Sequence, residues 1–386
     1  MKVFEYKIDL KWRILGLLLL LSFLYAFWQH FSSDILPIHE CRKSDSLTQA
    51  IQYMRGAAFL EPQTNWISPM GNRNAAAEFP IVYYIIGQIW KLTGYQLWLT
   101  KLFSLGLLMT AIISLRHFLL WFFESKQKAL VFSGIIFSAP VLIYYADSVL
   151  PNIYAFSFLL IAINACFSYL QTKSKWSYLG FTIFLSLAIL IKVTALIAVL
   201  AFLGALFFSI LLTNTWKSYF SNRRVCWLGL SVLIALLSSF LWYTYAIRYN
   251  AAHGSTIFST TIRPIWEVST EEQIRIIKLV LTEHLKEMYH QLILVPLVLI
   301  GFWALFKKEI PLYLRILIVI SFIGTIAYFI LWFWVFDVHD YYFIEILFVP
   351  LILMAIYMKY TASFIAAALW QKRIAYVGLT LIFLNA

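Results

Sequence analysis

Long apolar stretches separated by short polar segments dominate this chain of 386 residues. Runs of roughly 18 or more apolar residues recur along it, and each is long enough to cross a bilayer as a helix. The pattern therefore predicts an all-α polytopic membrane protein with about 11 transmembrane helices. We place these spans at 14–31, 98–115, 129–145, 153–170, 178–190, 193–212, 226–246, 291–306, 316–336, 343–358 and 374–386.

Two polar segments are too long to be simple turns between spans. They cover about 32–97 and 247–290, and both belong to a single membrane domain over 1–386. Within the first, Phe79 to Gly94 is apolar enough to resemble a span. If it crossed the membrane, the basic loops that follow it would all lie on the outer side, against the positive-inside rule. We therefore predict an interfacial helix on the outer membrane surface, a depth that its Tyr and Trp residues favour.

The second outer segment contains a predicted amphipathic helix from Thr270 to His290. Ser269 followed by Glu272 forms a capping-box pattern at its start, and Glu271 and Arg275 are spaced to pair along one face. An apolar stripe predicts that the helix lies flat on the membrane or on the first outer segment. The stripe consists of Ile274, Ile277, Leu281 and Leu285.

Composition and charge fit a membrane protein and set its orientation. Hydrophobic residues make up 62% of the chain and the mean hydropathy is +0.81, which exclude a soluble globular domain. The formal net charge is +12, yet 18 of the 30 basic residues and only four of the 18 acidic residues fall on the side that holds the N-terminus. This asymmetry follows the positive-inside rule and predicts a cytoplasmic N-terminus. It explains the basic charge without a nucleic-acid partner.

Acidic and basic side chains gather in a few outer segments. A chain this apolar places few charged groups outside its cytoplasmic loops without a chemical reason. If these segments share one side of the membrane, they can converge on one site. The residues are Arg42, Lys43, Asp45 and Glu78 in the first outer segment, Asp147 in a short turn, Lys192 at a helix end, and Asp337, His339, Asp340, Tyr341 and Tyr342 between two late spans.

Asp45 has the most specific local pattern. Ser46 with Gln49 forms a capping box and Gly56 ends the segment, which predicts a short helix over about 47–55. Asp45 would then lie at the positive end of the helix, where free N–H groups favour its carboxylate form. An ionised carboxylate suits a general base or a metal ligand. The structural alternative is that Asp45 only caps the helix.

The other candidates have structural alternatives too. Glu78 and Asp147 can cap helices, Lys192 can extend to the lipid headgroups, and the late run from His339 can belong to an aromatic belt. Several arginines are candidates for binding a phosphate through two parallel hydrogen bonds. They are Arg42, Arg55, Arg73, Arg248 and Arg263.

Four of these motifs together resemble the GT-C superfamily of glycosyltransferases, in the bacterial branch of protein mannosyltransferases and lipid A aminoarabinose transferases. The resemblance spans about residues 10 to 360. The motifs are CRKSD ending at Asp45, similar to W-R-Q-S/T-D; EFPIVYY from Glu78 with a later LTG; IKVT around Lys192, similar to L-T-K-x-T; and HDYY from His339 with Pro350. Cys41 replaces the usual aromatic residue, and Lys43 replaces a common Gln.

The resemblance implies a polyprenyl-phosphate-linked sugar as donor and a lipid, glycan or protein as acceptor. It implies inverting transfer at the outer face of a bacterial inner membrane, with catalytic Asp45, Glu78 and Asp147. Asp340 would orient the acceptor. Asp147 or Glu78 would also orient the acceptor or bind a divalent cation, which is the one possible cofactor. The donor phosphate and lipid would be bound by Lys192, Arg42, Arg263, His339, Tyr341 and Tyr342.

Three alternative functions remain open at this point. A lipid-linked-glycan flippase or transporter would carry charged or helix-breaking residues at mid-membrane in several spans, and few are present. A polysaccharide polymerase or ligase would use the same class of donor. A non-catalytic assembly protein would not need acids gathered from distant loops.

Overall fold

The computed structural model describes residues 9–33, 38–215, 223–258 and 262–361, and these are organised as helices and connecting turns. The bounds are α1 Leu10–Leu24, α2 Phe27–His30, α3 Glu40–Met54, α4 Ile81–Thr93, α5 Leu97–Ser114, α6 Arg116–Phe123, α7 Lys126–Phe137, α8 Pro140–Tyr145, α9 Pro151–Thr172, α10 Lys175–Ile191, α11 Leu196–Leu212, α12 Arg223–Ala252, α13 Thr270–Leu279, α14 Leu285–Met288, α15 Gln291–Leu305, α16 Leu312–Leu331 and α17 Phe348–Ile356. Short 3₁₀ helices cover Val193–Ala195, Ile265–Glu267, Phe333–Asp337 and Asp340–Ile346, and π-helical turns cover Val280–His284 and Tyr357–Thr361.

The described helices are those of an all-α membrane protein. Five are long and apolar enough to cross a membrane, and the number rises to seven if each of two bent helix pairs is one span. The predicted count of about 11 is therefore not confirmed. The span predicted at 374–386 lies outside the described residues.

Two predicted spans are interrupted for local reasons. The span predicted at 14–31 breaks at Ala26, whose left-handed backbone (φ 58°) separates α1 from α2. The span predicted at 129–145 breaks before Pro140, which begins α8 because its ring cannot continue the helix α7. Ala26 lies four residues before His30, which contacts Asp147, and Pro140 lies five residues before Tyr145, which contacts Asp340.

The late 3₁₀ helix Asp340–Ile346 brings the ends of several helices together. It packs against α8, α9 and α11, while α10 packs between α9 and α12 and α11 packs against α16. The segment that carries His339 and Asp340 is therefore held against residues that are distant in sequence.

The first outer segment is built on two helices that pack closely together. Helix α3 begins at Glu40, so the helix predicted over 47–55 starts earlier than expected. His39 adopts a left-handed conformation (φ 59°) directly before it and sets this start. Leu47, Ala50 and Tyr53 of α3 are buried in the same apolar core as the α4 face.

Helix α4 confirms the helix predicted within Phe79 to Gly94. Its 13 residues give a length of about 20 Å, which is shorter than the roughly 30 Å hydrocarbon core of a bilayer. The length supports the interfacial prediction, and its placement on the outer surface stays a prediction.

The amphipathic helix of the second outer segment begins where predicted. Ser269 Oγ accepts a hydrogen bond from the backbone N–H of Glu272 at 3.3 Å, which confirms Ser269 as the N-cap, and its hydroxyl donates to Glu272 Oε2 at 3.0 Å. The predicted pairing of Arg275 with Glu271 is wrong, because Arg275 makes two hydrogen bonds to Asp337, at 2.5 and 2.8 Å.

The apolar stripe of this helix is largely exposed. Ile274, Ile277 and Leu281 are at least 44% exposed. The segment from Thr270 to Met288 also meets α15 at 90°. An exposed apolar stripe on a helix perpendicular to the next apolar helix favours the prediction that it lies flat on a membrane.

Gly87 allows the close packing of α3 and α4. A Cβ atom there would lie 2.6 Å from the Ala50 carbonyl oxygen and 2.7 Å from Tyr53 Cβ. Gly87→Ala should therefore lower the free energy of unfolding by about 1–3 kcal/mol through overpacking. Gly106→Ala is the matched control, because a Cβ at Gly106 would meet no atom within 4 Å. Thermal unfolding in detergent measures both, and equal stability of the two variants would contradict this packing.

Candidate functional site

Asp45 lies inside α3 and is 3% exposed. The predicted position at the start of a helix is wrong, because α3 begins five residues earlier. Its carboxylate instead accepts a hydrogen bond from the backbone N–H of Asn65 at 3.3 Å, and the Trp66 side chain also reaches it. No basic side chain of the described residues lies within ion-pair distance of this carboxylate.

The environment of Asp45 raises its proton affinity. Burial raises the pKa of Asp45 to about 6, although Arg42 and the Asn65 hydrogen bond oppose the shift. The expected stabilisation of the carboxylate form by a helix terminus is therefore replaced by the opposite effect. A carboxylate with this pKa is largely ionised at neutral pH and still accepts a proton readily, which suits a general base.

Arg42 and Glu78 form a buried ion pair between α3 and the residues that precede α4. Arg42 Nη2 donates a hydrogen bond to Glu78 Oε1, and the Tyr83 hydroxyl donates to the same oxygen at 2.5 Å. Burial alone would raise the pKa of Glu78, but Arg42 and Tyr83 lower it below the ordinary value. Glu78 is therefore a poor proton acceptor and a good anchor for Arg42.

Lys43, one residue along α3, faces a second group of acids. Its ammonium lies 5.3 Å from the Tyr144 ring centroid and 5.4 Å from that of Tyr145. Burial lowers the pKa of Lys43 to about 8, while Asp147 and Asp340 oppose this shift. Tyr145 binds Asp340, and Lys43 and Asp147 line one cavity, so Lys43 lies near both carboxylates.

Asp147 is buried and paired with a base from α2. His30 Nδ1 lies 3.2 Å from Asp147 Oδ2. Lys43, Asp147 and Lys101 are among the residues that line a cavity of about 30 Å³, the size of a single water molecule. The Lys101 ammonium donates to the carbonyl oxygens of His30 and Ser33, at 2.5 and 2.7 Å.

Asp340 is held by two side chains from other elements. His39 Nε2 lies 2.8 Å from Asp340 Oδ1, and the Tyr145 hydroxyl donates to the same oxygen at 2.5 Å. The Tyr341 ring stands edge-on to His39 with a centroid distance of 4.9 Å. The late motif is therefore joined directly to the residue that starts α3.

Lys192 and His339 lie in an electropositive part of the site. The Lys192 ammonium lies 4.2 Å from the Tyr342 ring centroid. Burial, together with the nearby His39, Lys192 and Arg42, lowers the pKa of His339 to about 4. His339 is therefore neutral at pH 7, and the surrounding positive charges favour an anion there.

Arg263 is not brought to the carboxylates by its described contacts. Its guanidinium is stacked over the Trp334 ring at 4.5 Å, and its backbone N–H donates to the Leu331 carbonyl oxygen at 3.1 Å. It is exposed, as is Arg275, which binds Asp337. Asp337 is therefore used in an ion pair with α13.

Several residues of the site were missed from the sequence. His39 is the first residue of the HECRKSD run, so its position beside charged residues was a signal that could have marked it as a candidate. No local sequence pattern indicates that Tyr145 contacts Asp340. Glu345 was also missed, although it is a buried acid that accepts a hydrogen bond from Asn152 Nδ2 at 2.6 Å. Such pairs depend on contacts between residues about 190 positions apart.

The two acids predicted as possible ligands of a divalent cation, Glu78 and Asp147, each pair with a basic side chain in the structure. Glu78 is bonded to Arg42 and Asp147 to His30. Among the described residues, no group of three or more His, Cys, Asp or Glu side chains is arranged to hold a metal ion.

Comparison of the chain with protein-family models, with curated proteins and with solved structures finds no match.

The buried charge of Asp45 makes a stability prediction. Above pH 6 both folded and unfolded chains hold this carboxylate ionised, and the raised pKa makes the folded form less stable by on the order of 2–3 kcal/mol. Asp45→Asn should therefore stabilise the protein at pH 7. This advantage should shrink as the pH falls from 6 to about 4, because the folded wild type then binds a proton.

Asp147→Asn is the matched comparison for this stability test. It removes a buried carboxylate that is bonded to His30, so it should destabilise the protein at pH 7. Thermal unfolding between pH 4 and 8 measures both variants. A loss of stability in Asp45→Asn equal to that in Asp147→Asn would contradict the burial argument.

Proposed function

We propose that this chain is a GT-C-like glycosyltransferase with about 11 spans in a bacterial inner membrane, its N-terminus cytoplasmic and its site extracytoplasmic. It transfers a sugar from a polyprenyl-phosphate donor to an acceptor hydroxyl. The observation that carries the proposal is the division of charge across α3. Asp45 has no basic partner within ion-pair distance among the described residues, whereas three bases from two segments, His39 and Arg42 at the start of α3 and Lys192 after α10, act on His339.

The electropositive part of the site suits the donor phosphate. Arg42 Nη1 and His339 Nδ1 are buried and have no hydrogen-bond partner among the described residues. Leaving such groups unpaired is costly, and phosphate oxygens would accept hydrogen bonds from the guanidinium. Lys192 lies in the same region and adds a charge. Tyr341 and Tyr342 border it, whereas the described contacts of Arg263 are with Trp334 and the Leu331 backbone.

The proposed reaction is a single displacement. The acceptor oxygen attacks the anomeric carbon, the bond from that carbon to the phosphate oxygen breaks, and Asp45 takes the proton of the acceptor hydroxyl. The configuration at the anomeric carbon inverts, and polyprenyl phosphate leaves with the bonding electrons. Arg42 and Lys192 stabilise the negative charge that grows on the leaving phosphate.

The remaining acids position these groups. Glu78 fixes Arg42, and Asp340 is fixed by His39 and Tyr145, so that it can orient the acceptor. Asp147 holds His30 and interacts with Lys43, which projects from α3 about 100° away from Arg42, the partner of Glu78. This arrangement uses the predicted catalytic acids Glu78 and Asp147 as positioning residues, with Asp45 as the base.

Asp45→Asn should lower transfer by about 10²- to 10⁴-fold, the usual contribution of a general base. The assay incubates purified protein with a panel of polyprenyl-phosphate sugars and quantifies released polyprenyl phosphate. Asp337→Asn is the control, because Asp337 is paired with the exposed Arg275. Full transfer by a folded Asp45→Asn protein would refute the base assignment. Movement of intact donor across the bilayer, without release, would favour a flippase.

Lys192→Gln should weaken donor binding. A charged hydrogen bond contributes about 1.5–3 kcal/mol, so the donor KM should rise by roughly 10- to 150-fold. Lys192→Arg should restore much of the affinity because it keeps the charge. Lys307→Gln is the control, since Lys307 lies over Trp303 in another part of the chain. An unchanged donor KM in Lys192→Gln would remove Lys192 from the phosphate site.

A further inference from the structure

Residues 62–75 form a hairpin-like projection from the first outer segment, which we call the finger. The backbone N–H of Thr64 donates to the Arg73 carbonyl oxygen at 2.9 Å, and that of Ser68 donates to the Asn72 carbonyl oxygen at 2.7 Å. The turn at its tip includes Gly71 with a positive φ of 75°, which glycine adopts without strain. These bonds give the finger a defined shape.

The finger is fixed to the end of α12. Asn72 Nδ2 donates to the His253 carbonyl oxygen at 3.2 Å. Asn250 binds the backbone of Ala76 in both directions, at 2.7 and 2.8 Å. A Cβ atom at Gly254 would lie 3.0 Å from Met70 Cγ, so the Met70 side chain of the finger lies close to the Gly254 backbone.

A cavity of about 380 Å³ lies between the finger and the segment that follows α12. This volume falls within the roughly 300–1,000 Å³ typical of small-molecule sites. The lining residues are Trp66, Ile67, Ser68, Pro69, Asn74, Ser255, Thr256 and Ile257.

The lining combines one large aromatic ring with uncharged hydrogen-bonding groups. Trp66 is 53% exposed and offers a flat apolar surface. Ser68, Asn74 and Thr256 supply hydroxyl and amide groups. A sugar ring presents apolar C–H faces and hydroxyl edges, so it can satisfy both kinds of wall. An ionised ligand would lose its hydration without a charged partner among the lining residues.

The cavity adjoins the proposed base. Trp66 lines the cavity and also reaches the Asp45 carboxylate, while its neighbour Asn65 donates a backbone hydrogen bond to the same group. We propose that this cavity is the acceptor subsite and that the acceptor is a neutral saccharide. This inference rests on the proposed transferase function, and it selects one of the three acceptor classes that the sequence leaves open.

Direct binding tests the inference without requiring transfer. Purified full-chain protein in lipid nanodiscs is examined by saturation-transfer-difference NMR, since sugar-based detergents would compete for the site. The probes are neutral disaccharides of glucose, mannose, galactose and N-acetylglucosamine. Glucuronic acid, glucose 6-phosphate and a Ser/Thr-rich peptide are the comparison probes. At least one neutral disaccharide should bind, and the comparison probes should not compete with it.

Variants assign the binding to the cavity. Trp66→Ala should raise the dissociation constant by about three- to tenfold through loss of the ring surface, whereas Trp66→Phe should retain most of the affinity. Ile257→Trp should abolish binding by filling the cavity. Trp266→Ala is the matched control, since Trp266 is 64% exposed and lies outside the lining. Its affinity should equal that of the wild type.

Three results would overturn the inference. The first is that no neutral disaccharide binds, and the second is that Ile257→Trp leaves disaccharide binding unchanged. The third is that the peptide or a charged sugar competes with the disaccharide and that this competition is lost in Trp66→Ala. The last would assign the cavity to another acceptor class. Failure of the polyprenyl-phosphate release assay, with saccharide binding intact, would refute the transferase proposal while leaving the cavity as a saccharide site.

Discussion

The buried ion pair between Arg42 and Glu78 is the interaction on which the arrangement of α3 and α4 depends. It joins α3 to the residues that precede α4, and Tyr83 binds the same carboxylate from α4 itself. Removing one partner would leave an unpaired buried charge, which typically costs about 3–5 kcal/mol. The pair also fixes the guanidinium whose charge acts on Asp45 and His339. The same ion pair therefore holds α3 against the residues before α4 and fixes the positive charge near Asp45 and His339.

Two consecutive bases on α3 serve two separate groups of acids. Side chains one residue apart on a helix point about 100° apart, so Arg42 and Lys43 face different neighbours. Arg42 faces Glu78, whereas Lys43 interacts with Asp147 and Asp340. Asp45 is left with hydrogen bonds and without a basic partner in the described structure. Asp45 therefore differs from Glu78, Asp147 and Asp340, each of which is bonded to a basic side chain.

The sequence predicted those features that depend on local pattern. Apolar runs predicted an α-helical membrane protein, and Ser269 with Glu272 predicted the start of α13, because capping needs only neighbours in sequence. The start of α3 was predicted wrongly, since the left-handed conformation of His39 is supported by its distant contact with Asp340. The direction of the Asp45 pKa shift was missed for the same reason. The environment of the Asp45 carboxylate includes Asn65 of the finger, which lies 20 residues further along the chain.

The pH dependence of kcat/KM for sugar transfer tests the central claim most directly. If the buried Asp45 carboxylate is the base, transfer should rise with pH along a limb with an apparent pKa near 6, because only the ionised carboxylate accepts the acceptor proton. A rate that stays constant from pH 5 to 8, in protein that remains folded throughout, would contradict the account.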